Sequence, residues 1–196
     1  VTFTQERERR TLELLMTTLV RPLQVVGGKF LACCRLSFFL TGLVGITLLF
    51  FVLVGQGDRA GRVVALSVYL LILAVTIVFE TSLGMFFSMV RRSTLQSMIV
   101  TYATILVLFG LPMAGQALLL AFSDFDPKLI QSLCFTSPFQ AAWSVTPKLL
   151  GEGQNLEIPQ AVWPYYTLFG AILSVAFLVF MNARFQSWAN RTARAD

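Results

Sequence analysis

The chain has 196 residues, of which 56% are hydrophobic and only 13% charged, with a mean hydropathy of +0.74. A soluble domain carries about twice that charged fraction, so the composition excludes an ordinary water-soluble enzyme and points to the bilayer. The net charge of +5 is not a nucleic-acid signal, because the basic residues flank apolar runs instead of gathering on a polar domain.

The first stretch, Gln5 to Lys29, is the most polar. Read as a helix from about Thr4 to Met16, it places Glu6, Arg9, Arg10 and Glu13 on one stripe, with opposite charges one turn apart. Leu12, Leu15 and Leu19 repeat on the other side, as an amphipathic surface helix requires. Thr2 followed by Gln5 suits a capping box. Arg21-Pro22 is expected to interrupt this helix, and Gly27-Gly28-Lys29 to act as a hinge into a long apolar run.

Four apolar runs are long enough to cross a bilayer. The first covers about 30–54, with Arg35 near its start snorkelling to the headgroups and Gly42 and Gly45 offering a close-packing surface. A polar turn, Gln56 to Arg62, returns the chain to a second span over about 63–90. There Tyr69, Thr76 and Glu80 share one face. Glu80 is the one acid inside a span, and an ionised carboxylate is costly in lipid. It is either a substrate or proton contact or a structural hydrogen-bonding group.

Arg91-Arg92-Ser93 makes a tight basic turn into a third span over about 94–122. Ser97, Thr101 and Thr104 form a hydroxyl stripe, which either lines a path or bonds the helix's own carbonyls. Gly110 and Pro112 should kink or break this helix. From 123 to 163 lie two short apolar pieces, Leu129–Phe135 and Phe139–Leu150, around a Thr136-Ser137-Pro138 break. They suit a broken helical hairpin, re-entrant or lying on the membrane surface. The last span, about 165–185, is flanked by Trp163, Tyr165, Tyr166 and Trp188 as interfacial aromatics.

Arg7, Arg9, Arg10, Arg21, Lys29, Arg35, Arg91, Arg92, Arg184, Arg191 and Arg194 fall on one side of this topology, and Arg59, Arg62, Lys128 and Lys148 on the other. The positive-inside rule puts the richer side, with both termini, in the cytoplasm. The fold expected is therefore an all-α integral membrane protein of four transmembrane helices, with a polar helix over 1–28 and a membrane domain over 29–196. No histidine is present, which rules out HExxH and Ser-His-Asp chemistry and makes a zinc site improbable for the three cysteines. No GxxxxGK[ST] loop occurs, so the chain itself should bind no ATP. Catalytic residues and metal ligands are expected to be none.

The order Glu6-x-Glu8-x-x-Thr11-Leu12-Glu13-x-Leu15, then Thr17-Thr18, then Gly28-Lys29, resembles the segment between the second and third spans of type-2 ABC exporter permeases, the ABC-2 family. Arg10 stands where many members carry glycine, and Leu19 where proline is usual. The resemblance implies that 1–28 is a cytoplasmic coupling helix docking on an ATP-binding cassette subunit through Glu6, Arg9, Arg10, Thr11 and Glu13. ATP and magnesium would belong to that subunit, with no cofactor in this chain. It further implies a second permease copy, no nucleic acid, a place in the bacterial inner membrane, and an exterior position for the 123–163 hairpin. The chain begins at Val1 and not methionine, as expected of a fragment, and the resemblance implies two spans before it. Tyr69, Thr76, Glu80, Ser97, Thr101 and Thr104 are the expected lining of a translocation path. Two other functions fit the same runs, a non-transporting scaffold that recruits a cytosolic protein and an ion-coupled transporter using Glu80.

Overall fold

A computed structural model describes residues 22–54, 59–91, 93–122, 134–147 and 162–192. The polar helix expected over residues 4–16 and the Leu129 end of the first short piece lie outside them. The described residues form helices α1 (Pro22–Val54), α2 (Arg59–Val90), α3 (Thr94–Ile105), α4 (Leu111–Phe122), α5 (Pro138–Trp143) and α6 (Trp163–Thr192), with no sheet among them. A π-helical turn, Leu106–Gly110, joins α3 to α4 without a break in the rod.

Four helical stretches are long and apolar enough to span a bilayer: Val26–Val54, Arg59–Val90, Thr94–Leu119 and Trp163–Arg184. Each matches an expected span, but the helices overrun their apolar cores. α1 starts at Pro22 and passes through Gly27 and Gly28 as helix, so the glycine hinge is not formed. Glycine costs about 1 kcal/mol in a helix interior. Next to a span that cost is smaller than leaving backbone groups unpaired. The polar turn after α1 is likewise shorter than expected, because Arg59 to Arg62 already belong to α2. The next turn is capped by Ser93, whose Oγ accepts the Gln96 N–H at 3.3 Å. That bond satisfies one of the orphan donors at the start of α3.

Two compact units divide the chain. One holds the described residues up to Leu36, Val78–Thr104, and those from Ile172 onward. Its core is Val26, Met85, Met89 and Met181, with Phe30, Phe86 and Leu178 packed against it. Phe86 stands at the centre, its ring 4.9 Å from that of Phe177 and 5.5 Å from that of Phe180. Lipid tails are as apolar as these side chains, so the packing is stabilised by close van der Waals fit and not by escape from water. Flexible methionines fill the irregular gaps that three helices leave.

The other unit holds Ser37–Ile77 and the described residues between Ile105 and Ala171. Ala65, Ile72, Ala141, Val145 and Tyr166 form its core, joined by Val68, Val75 and Trp163. α2 and α6 approach closely here: a Cβ on Gly170 would lie 2.7 Å from Val75 Cγ1. α5 begins with Pro138 in its first turn, as the sequence suggests, where the missing N–H is no loss. Its Ala141 is fully buried in the same core.

Candidate functional site

The polar groups inside the apolar helices are the candidates for function, since each must be satisfied or else wait for a partner. Of the residues expected to dock a partner, Glu6, Arg9, Arg10, Thr11 and Glu13 lie outside the described residues. The expected path residues are all described.

Thr76 is engaged on both sides. Its Oγ1 donates to the Ile72 carbonyl at 2.8 Å and lies 2.7 Å from the Tyr166 hydroxyl. Either oxygen of that second pair can be the donor, but Oγ1 has one proton, so when it bonds to Ile72 the tyrosine donates. Tyr166 is 1% exposed, and this bond gives its buried hydroxyl a partner. Tyr69, on the same helix, is half-buried. Thr101 and Thr104 bond back to the carbonyls of Ser97 and Val100, both at 2.7 Å. The hydroxyl stripe of α3 is thus largely engaged with its own backbone, the plainer of the two expectations for it. Ser82 does the same on α2, donating to Phe79 at 2.8 Å.

Three polar groups of the first unit differ. Ser97 is 1% exposed, and its Oγ has no partner among the described residues. Asn182 Oδ1, on α6, is buried and unpartnered in the same sense. Glu80 is half-buried, and no hydrogen bond or ion pair reaches it from the described residues. It stands eleven residues from Arg91, about 16 Å along a helix. Were Arg91 at the edge of a hydrocarbon core of about 30 Å, that depth would be too great for the short Glu80 side chain to reach a headgroup. Thr101 does come against the backbone one turn below it, with Cγ2 3.9 Å from where a Cβ on Gly84 would sit. Among the described residues no three His, Cys, Asp or Glu side chains gather as a metal site would need.

Several placed groups escaped the sequence reading. Asn182 could have been found as the lone amide within the last apolar run. Tyr166 could not be separated from the other interfacial aromatics, because its partner is 90 residues away. Val162, Tyr166, Gly170 and Ser174 are all buried at four-residue spacing, and the small Gly170 and Ser174 are the sequence signal for a packing face there.

In the second unit the segment 134–147 touches the π-turn and the first turns of α4. Thr136 Oγ1 donates to the Leu108 carbonyl at 3.2 Å. The Cys134 thiol lies 3.3 Å from the Pro112 carbonyl and 3.4 Å from Gln116 Oε1. Burial pushes this thiol above its ordinary value, so at neutral pH it is a protonated donor.

The described residues thus give four membrane-length helices with a few unsatisfied polar groups and no assembled catalytic constellation. Comparison with curated proteins and with solved structures gives no match. The family model for the ABC-2 family transporter proteins matches residues 2–187. Since that match runs from the amino-terminal polar stretch through the last span, the chain is an integral membrane protein belonging to the ABC-2 family of transporter permeases.

Proposed function

We propose that this chain is the membrane-spanning permease part of an ATP-driven exporter, alternately open to either side of the bacterial inner membrane. The power comes from a separate ATP-binding subunit that docks on the amino-terminal helix. The observation that carries this reading is a family match that includes residues 2–29 together with the spans. A charged stripe of Glu6, Arg9, Arg10 and Glu13 beside a span is costly to explain by solubility alone. Thr11 falls within the same motif. Both termini are cytoplasmic in this reading, the 123–163 segment is exterior, and a second permease copy completes the path. ATP and magnesium are bound by the partner subunit.

Within the spans, Glu80 and Ser97 are the path residues left to meet a solute, because Thr76, Thr101 and Thr104 already have hydrogen-bond partners. Tyr69 is half-buried on α2.

The test is Arg9→Glu with Arg10→Glu in the complete permease, reconstituted with its ATPase. Close charge pairs at an interface each contribute on the order of 1–3 kcal/mol. The double variant should insert normally and lose most of its substrate-stimulated ATP hydrolysis. Undiminished coupling would show that the helix rests on lipid and docks nothing.

A further inference from the structure

Proline at position 112 creates a specific deficit. In an uninterrupted α-helix the N–H of residue 112 pairs with the carbonyl of residue 108, and proline has no N–H to offer. The π-turn Leu106–Gly110 lies directly before this point. The donor that reaches the Leu108 carbonyl from outside the helix is Thr136 Oγ1, at 3.2 Å. One turn further on, Cys134 Sγ is 3.3 Å from the Pro112 carbonyl and 3.4 Å from Gln116 Oε1. A thiol has one proton and is a weak donor, so it serves one of these acceptors at a time.

The rest of the segment is held differently. Phe135 meets Phe169 of α6 edge to face, with centroids 5.6 Å apart and planes at 90°. Ala141 and Val145 are buried with Ala65 and Ile72 of α2 and Tyr166 of α6. Apolar packing therefore ties the segment to α2 and α6, while the Thr136 hydroxyl and the Cys134 thiol reach the π-turn and the first turns of α4. Ser137 adds a bias. It is fully buried, and its Oγ has no partner among the described residues. This cost of the closed arrangement disappears once water reaches the hydroxyl.

We propose that residues 134–136 are a releasable latch over the carbonyl that Pro112 leaves without a donor, held shut chiefly by the Thr136 hydrogen bond to the Leu108 carbonyl. The parting plane lies between the latch and the Leu106–Phe122 half of the rod. Opening exposes Cys134, which is 1% exposed when the latch is shut. The inference goes beyond the permease reading, and its test needs neither ATP nor a transported substrate.

In the complete permease in membranes, Cys33→Ala and Cys34→Ala leave Cys134 as the thiol of this chain, and its alkylation by N-ethylmaleimide is timed. Thr136→Val keeps the shape and removes the donor, and should raise the rate roughly threefold to tenfold, the value of one net hydrogen bond. Thr136→Ser should stay slow. Adding Pro112→Ala to Thr136→Val supplies the missing N–H to Leu108 and should restore the slow rate. A rate indifferent to Thr136→Val, or an acceleration that Pro112→Ala does not reverse, overturns the latch. Should Thr136→Val fail to assemble, the double variant decides: assembly recovered by Pro112→Ala supports the latch, and assembly still lost refutes it.

Discussion

Tyr166 and Glu80 are the two outcomes open to a polar side chain in a span. Tyr166 found Thr76 at 2.7 Å and is buried with it. Hydrogen bonds between membrane helices average about 0.6 kcal/mol and reach about 1.7. Tyr166→Phe should therefore lower unfolding stability by about 1 kcal/mol, measured by denaturant titration in mixed micelles. Thr76→Val should cost a similar amount, and the two together little more than either, since each removes the same bond. A fully additive double variant would mean that the bond contributes nothing. Glu80 has no such partner among the described residues, so Glu80→Gln orphans no known group. The variant should assemble and turn over ATP as the parent does, while transport falls about tenfold, which is a loss of about 1.4 kcal/mol in binding. Normal transport would instead make Glu80 a structural group whose amide is as good as its acid.

At the scale of the element, what could be read in advance was decided by length and by punctuation. Runs of more than twenty apolar residues allow only a spanning helix, which is why all four spans were legible. Their ends were not, because hydropathy marks the hydrocarbon edge and not the end of hydrogen bonding. α6 runs to Thr192, well past the expected Phe185, since nothing between them breaks a helix. Gly110 and Pro112 announced a disturbance in the third span, but not that a π-turn would absorb it or that Thr136 would cap it. Such a bond depends on a neighbour that only the fold supplies. The α2–α6 crossing is a similar case. Gly170→Ala places a methyl 2.7 Å from Val75 Cγ1, and overpacking of this kind costs about 1–3 kcal/mol. Val75→Ala in the same chain should recover most of that loss in a thermal-unfolding assay. An unrelieved loss would place the strain elsewhere.

For the whole molecule, the proposed orientation rests on the lopsided arginine and lysine distribution, since acids weigh little in the positive-inside rule. If both termini are cytoplasmic, as proposed, a cysteine introduced at Glu152 should react with an impermeant thiol reagent added outside intact cells. One introduced at Glu8 should react only after lysis. The reverse pattern would invert the topology and remove the amino-terminal helix from any cytosolic ATPase. A different property of the whole follows from α1. Leu31, Leu36, Phe39, Ile46 and Phe50 each leave more than 60% of their surface uncovered by the rest of the chain. Lipid asks only that a facing side chain be apolar, and one hydrocarbon side chain satisfies it about as well as another. Wherever that face of α1 meets lipid and not a further span or a second copy, the identity of the residue carries almost no information, and leucine, isoleucine, valine and phenylalanine are close to synonyms. The positions with a fixed spelling are the few that touch protein, Val26, Cys34 and Val52 among them. Over evolutionary time a lipid-facing stripe of this kind is free to be rewritten almost letter by letter while the helix remains the same, and likeness between distant members of the family should fade there first.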